Sequence, residues 1–178
     1  MSIGSNRTKT YIAGDWDGDA NAIQKLYDWK KSDWYNLDFV DAHSLTQARD
    51  SSLNCSIKRS LKERLDVSKT FVLVVGKNTN SVRAGQCAYC PGYRTYYYSL
   101  PSCSHNYSID NRSYIENECE KAKEAGIKIV VLYNALTVDK TKCPEAIRNV
   151  GTHLPMMYCG IGGQRYWNYS SIKDAICG

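Results

Sequence analysis

No apolar run in this 178-residue chain is long enough to cross a bilayer. The longest, Phe71 to Val75 and Ile129 to Tyr133, fall far short of the roughly 20 residues a membrane helix needs. The N-terminal segment Met1-Ser2-Ile3-Gly4-Ser5-Asn6-Arg7 lacks the apolar centre of a signal peptide, so no membrane contact and a cytoplasmic location are expected. Basic tracts are missing too. The net charge of +5 is spread along the chain, and no element interleaves a basic stripe with aromatics, so nucleic acid is not an expected partner, whereas a small anionic ligand suits this balance. There is neither a Walker lysine pattern nor a G-x-G-x-x-G, which excludes a glycine-loop phosphate cradle. No strand end carries the acidic cluster and lysine that a phosphoryl receiver would need. What remains, with 43% hydrophobic residues and a mean hydropathy of −0.48, is a polar globular chain. Residues 1–178 suit one domain with a full core.

Strand and helix patterns alternate. Lys9 to Ala13 reads as a strand ending at Gly14, and Asp15 to Asp19 offers caps for a helix that buries Ile23, Leu26 and Tyr27. Leu37 to Val40 is a second strand. Leu53, Ile57, Leu61 and Leu65 recur every four residues, with Lys58, Arg59, Lys62 and Glu63 on the other faces. Thr70 to Val75 has the unbroken apolar pattern of a strand covered on both faces, and Ile127 to Tyr133 is a fourth strand. A short helix near Pro144 to Asn149, a fifth strand near Leu154 to Tyr158 and a final helix from Asn168 to Ile176 close the series. The expected fold is α/β: a central parallel five-stranded sheet with helices on both faces, and ligands beyond the carboxyl ends of its strands.

Two places carry candidate chemistry. On the helix beginning at Ser113, Ile115, Cys119 and Ala122 share the face that packs on the sheet. Glu118 lies on the shoulder of that face, one turn after Tyr114, while Glu116 and Glu120 turn further towards water. A partly desolvated carboxylate beside an aromatic ring can hold a positively charged or electron-deficient ligand. The second place is the rim formed by the strand ends. The first strand delivers Asp15, Trp16 and Asp17, the second delivers His43 and Ser44, and the third delivers Gly76 to Thr79. Such a rim suits a nucleotide or sugar, with Trp16 placed to stack on a ring. The same residues also serve as ordinary turn and capping residues.

Between Asn78 and Asn111 the periodicity lapses into an irregular insertion, about 80–111, rich in cysteine and tyrosine. Cys87-x2-Cys90 with Cys103 and His105 supplies four candidate ligands for a structural zinc, and a metal would fix a long loop. Against that, Cys103-x-His105 is tight spacing for two ligands of one ion. Independently buried thiols are the default for free cysteines, and a disulfide is disfavoured in a cytoplasmic protein. Tyr96, Tyr97 and Tyr98 could instead hold the loop by packing, or form a pocket wall.

The segments Thr10 to Ala13, Asp38 to His43, Ser56 to Leu65, Ser68 to Gly76 and Tyr114 to Glu118 resemble, in order and spacing, the TIR-like proteins of the Thoeris antiphage defence systems. The resemblance runs from about Lys9 to Tyr133. It implies a flavodoxin-like TIR fold and cleavage of the nicotinamide–ribose bond of NAD+ as substrate. The implied product is a cyclic or modified ADP-ribose that activates a partner effector, and the resemblance leaves room for a homo-oligomer. The family's aromatic-x-x-x-Glu pattern falls on Tyr114 and Glu118, so Glu118 is implied as the catalytic carboxylate. Asp15, Trp16, Asp17, His43, Ser44 and Tyr114 are the expected substrate contacts. Two departures stand out: Tyr114 replaces the usual tryptophan, and Ala13-Gly14 replaces a serine common after the first strand. An NAD+-cleaving enzyme and a catalytically silent TIR-like adaptor are the two readings, and a carboxylate at position 118 favours the enzyme.

Overall fold

The computed structural model describes residues 7–40, 53–97, 99–106 and 108–178. Its centre is β2 (Ser68–Val75), in which every residue but Lys69 is buried. β1 (Lys9–Ala13) lies parallel on one side with Tyr11 opposite Phe71. β5 (Lys128–Tyr133) lies parallel on the other with Val72 opposite Val130. β6 (Thr152–Pro155) extends the sheet beyond β5, giving the all-parallel order β1-β2-β5-β6. Side chains alternate between faces. Tyr11, Phe71, Leu73, Val131 and Tyr133 point to one core, covered by α2 (Asn54–Asp66) and α3 (Tyr114–Glu124). Ile12, Val72, Val74, Val130 and Leu132 point to the other, covered by α1 (Ala20–Lys31) and α4 (Tyr169–Cys177). Each fully buried Val, Leu or Phe is worth about 1.5–3 kcal/mol of transfer free energy, so β2, buried on both faces, anchors both layers.

The structure departs from the sequence expectation in four places. The sheet has four strands among the described residues. Leu37 and Phe39 are buried, and the Thr10 N–H donates to the Val40 carbonyl over 2.6 Å, so 37–40 runs beside β1 without a strand ladder, and residues 41–52 lie outside the described set. The strand expected over Leu154 to Tyr158 divides in two: β6 ends at Pro155, and beyond it the Met156 and Met157 N–H groups donate to the Tyr133 and Ala135 carbonyls. Met157–Cys159 instead forms β7, an antiparallel pair with β8 (Arg165–Trp167). The helix expected near Pro144 is a single 3-10 turn, Glu145–Ile147. The insertion contains a hairpin, β3 (Tyr93–Tyr96) with β4 (Ser99–Cys103). Tyr96 and Tyr97 on it are 66% and 94% exposed, so packing by those two rings does not hold it; Tyr98 lies outside the described residues. Among the described residues no helix is long and apolar enough to cross a membrane.

Two glycines with positive φ separate backbone strain from crowding. Gly151 (φ +81°) leads into β6, and a Cβ there would overlap the Ile129 carbonyl, whereas Gly162 (φ +90°) faces open space. Gly162→Ala should cost about 1–2 kcal/mol, the left-handed backbone penalty alone. Gly151→Ala should cost about 1–3 kcal/mol more from overpacking. Urea midpoints compare the two, and equal losses would show that β6 yields freely at its entry.

Candidate active site

The helix that carries the glutamates begins with a capping box. Ser113 Oγ accepts from the Glu116 N–H over 3.2 Å, and the Glu116 carboxylate accepts from the Ser113 N–H over 2.6 Å. Ile115, Cys119 and Ala122 face the sheet as the periodicity predicts. Arg112 donates to Glu120, and Glu118 accepts a hydrogen bond from the Tyr11 hydroxyl. The three carboxylates of the first two turns thus have three different settings: a cap, an arginine pair, and the sheet. Glu118 is only 6% exposed, deeper than a helix shoulder suggests. Tyr11 itself is fully buried, its ring stacked at 5.8 Å on Phe71. A carboxylate leaves water only where hydrogen bonds replace hydration, and β1 places a phenol where one is required.

Around α3 lie two cavities. One, of about 680 Å³, opens between α2 and α3 and is lined by Lys58, Arg59, Lys62, Arg112, Asn117 and Lys121 among others. The second, of about 590 Å³, sits at the N-terminus of α3 between Arg83, Arg112, Glu116, Glu145 and Arg148. Glu118 lines neither. Lys58, which the helical pattern assigns to an outer face, is buried. Its ammonium pairs with the Asp110 carboxylate at 3.1 Å and donates to the Asp110 and Arg112 carbonyls. Burial acts to raise the Asp110 carboxyl, but the Arg112 fork, the Arg112 N–H and Lys58 outweigh it and hold the group well below the usual carboxylate range.

At the strand-end rim, the Asp15 carboxylate accepts from the Asp17 N–H over 3.3 Å, and the Asp15 carbonyl accepts from the Asp19 N–H, a local turn of the kind the sequence allows. Trp16 is 46% exposed, its ring 6.3 Å from that of Tyr27 on α1. Asp17 is exposed. None of the three lines either cavity at α3. His43 and Ser44 lie outside the described residues. Tyr114 is half-buried; its hydroxyl donates to Asn54 Oδ1 over 3.0 Å, and its ring lies against Gly85, whose φ of +95° and lack of Cβ allow the approach. Burial, with the Cys90, Cys55 and Cys87 thiols nearby, pushes the Tyr114 phenol up to about 12. Cys87, Cys90 and Cys103 line one small cavity, joined there by Cys55. His105 does not line it, and its Nδ1 is 3.0 Å from Ser104 Oγ. The thiols are free, and among the described residues no group of three or more His, Cys, Asp or Glu side chains is placed to hold a metal ion.

Sequence reasoning missed Tyr11, which read only as a strand residue; Asp19, one of its N-cap candidates, does occupy the N-cap position of α1. The Asp19 side chain makes no cap bond. It is 3% exposed, set against Gly76 where any side chain would collide with it, and it accepts from Asn134 Nδ2 over 2.9 Å. A glycine immediately after the apolar strand is the one signal that could have marked this close approach. Asp19, Gly76 and Asn134 thus meet where β1, β2 and β5 end.

Residues 11–85 match the family model described as the TIR-like domain of the Thoeris protein ThsB. The matched stretch spans β1 to the loop after β2 and ends before α3. No curated protein matches the chain.

Burial raises the Asp19 carboxyl above its ordinary 3.8, Asn134 opposes this and Asp15 adds to it. Ionisation is therefore costlier in the folded than in the unfolded chain, and the stability it removes grows as pH rises through the folded value. Asp19→Asn keeps an acceptor for Asn134 and removes the charge. The variant should be more stable than the parent at neutral pH, with the gain shrinking as pH falls towards 3.8. Urea unfolding at neutral and acidic pH measures this; a loss of stability at neutral pH would mean the ionised form is the one the rim is built to hold.

Proposed function

We propose that this chain, whose residues 11–85 match the TIR-like domain of the Thoeris protein ThsB, acts in Thoeris antiphage defence as an enzyme that cleaves the nicotinamide–ribose bond of NAD+ with Glu118 as its catalytic carboxylate. The product on this reading is a cyclic or otherwise modified ADP-ribose that activates a partner effector. The observation that carries it is the division of labour on α3: Glu116 is held by the cap and Glu120 by Arg112, whereas Glu118 is turned to the sheet and oriented by Tyr11. As the C–N bond breaks, nicotinamide leaves as a neutral molecule and the ribose becomes oxocarbenium-like. A fixed carboxylate beside that carbon stabilises the developing positive charge and accepts hydrogen bonds from ribose hydroxyls. Water or a hydroxyl of the substrate then attacks the same carbon. Asp15, Trp16 and Asp17 are the proposed contacts at the first strand end, with His43 and Ser44 joining from the second. Tyr114, tied to Asn54, positions the start of α3. The reading treats residues 1–178 as one TIR-like unit and 37–40 as the fifth strand of its flavodoxin-like sheet.

One observation favours the second reading, a catalytically silent adaptor: Glu118 is nearly sealed from solvent under Tyr11, the setting of a structural carboxylate. Turnover separates the two. Purified protein, alone and with lysate from phage-infected cells, should release nicotinamide from NAD+, and Glu118→Gln should lower the rate by orders of magnitude while the fold survives. Glu116→Gln should keep the activity and lose at most about 1 kcal/mol from the cap. Full turnover in Glu118→Gln sinks the assignment, and no nicotinamide release in either condition supports the adaptor.

A further inference from the structure

Two helices present cations to one space. Along α2, Cys55, Lys58, Arg59 and Lys62 stand at i, i+3, i+4 and i+7, one stripe of the helix, and all four line the cavity of about 680 Å³ between α2 and α3. Lys121 lines it from α3, and Arg112 from the approach to that helix. Five cations therefore line a space in which, among the described residues, the only lining carboxylate is Asp110. Lys58 and Arg112 already hold that one. We propose that this cavity is a nucleotide site for a nucleoside diphosphate group, with the phosphates on Arg59, Lys62 and Lys121 and the base against Cys55, Cys87 and Ile109.

Charge, layout and size support it. Lys62 pairs with Asp66 at 2.8 Å and Lys121 with Glu124 at 2.6 Å, each within its own helix, and the Lys62, Asp66 and Glu124 side chains are more than half exposed. Exposed pairs of this kind are worth little, whereas a diphosphate offers several charged oxygens to several cations at once. A cleft lined mostly by one sign of charge also concentrates counter-ions. The two ends of the cavity differ. Cys55, Cys87 and Ile109 also line the small thiol cavity beside the hairpin, which fixes the apolar end there, and buried thiols behave as small hydrophobes. Lys62 stands seven residues beyond Cys55, about 10 Å along the helix axis. That is the reach of an extended nucleoside diphosphate from base to terminal phosphate. The volume falls within the range of small-molecule sites, about 300–1,000 Å³. Glu118 lines no part of this cavity, so its occupancy is separate from bond cleavage and is read without turnover.

Calorimetric titration of the full chain with ADP tests the site. ADP should bind once per chain, and inorganic pyrophosphate and adenosine, each lacking one half of the contacts, at least about tenfold more weakly. Lys62→Glu and Lys121→Glu should each weaken ADP about tenfold or more. Lys31→Glu makes the same change of net charge at the exposed end of α1, in the other layer, and should leave affinity within about twofold. Because a charge reversal can disturb a helix, the unsubstituted chain supplies an independent measurement: bound ADP should protect Lys62 and Lys121, but not Lys31, from acetylation. ADP-ribose titrated in parallel separates the sources of the diphosphate group. Tighter binding than ADP assigns the site to a product of the reaction proposed above, and weaker binding to a free mononucleotide. The proposal is overturned by absence of ADP binding, by pyrophosphate binding as tightly as ADP, by equal losses in Lys31→Glu and Lys62→Glu, or by ADP affinity unchanged in both Lys62→Glu and Lys121→Glu.

Discussion

The hydrogen bond from the Tyr11 hydroxyl to the Glu118 carboxylate is the contact on which the geometry of this face depends. It joins a fully buried strand residue to the second turn of α3, and neither group can be moved alone. The phenol is fixed by stacking on Phe71. The carboxylate is fixed by a helix whose start is set by the Ser113–Glu116 box and whose rotation is set by Ile115, Cys119 and Ala122. A slip of one residue would turn the helix by about 100° and bring Asn117 or Cys119 to the phenol. Close-packed interiors do not absorb such a change, so one register satisfies the apolar contacts and the polar one together.

The approach to α3 is held differently. Residues 108–112 lie against α2 with no strand partner among the described residues, so their carbonyls need donors from elsewhere. Lys58 supplies them, donating to the Asp110 and Arg112 carbonyls and pairing with the Asp110 carboxylate. That explains a buried lysine within an amphipathic helix: its stem packs while its ammonium caps a segment that no sheet supports. Arg112 then bridges Asp110 to Glu120, so the entry to the helix is tied both to α2 and to α3 itself.

The sequence showed most of the layering, because strands covered on both faces must be apolar throughout, as in Phe71 to Val75, and helices covered on one face must repeat, as in Ile115, Cys119 and Ala122. It did not show what depends on partners distant in the chain. Nothing local to Tyr11 marks it as a donor to residue 118. Asp19 is the N-cap of α1, but nothing local shows that its side chain turns to Gly76 and Asn134. Cys55 reads as one more small core residue, because its neighbours at the cavity come from a hairpin far along the chain. Helical geometry puts Glu118 on the shoulder of the sheet-facing side but does not show its depth, since the periodicity of one helix carries no information on the phenol opposite.

The family match ends at residue 85, and Glu118 lies beyond it, so the insertion is the physical link between the recognised part of the chain and the candidate carboxylate. The link is short in space. The Tyr114 N–H donates to the Ala84 carbonyl and the Cys87 N–H to the Asp110 carbonyl, so both ends of the insertion are stitched together at the first residue of α3. Whatever orders the insertion therefore also sets where α3 begins, and through the capping box it sets the rotation of Glu118 against Tyr11. Catalysis by a single carboxylate is sensitive to displacements of that size, since orientation alone is worth several kcal/mol of barrier. An irregular, cysteine-rich segment placed directly before the helix is on this argument part of the site's support, and its order and the position of Glu118 are one structural variable.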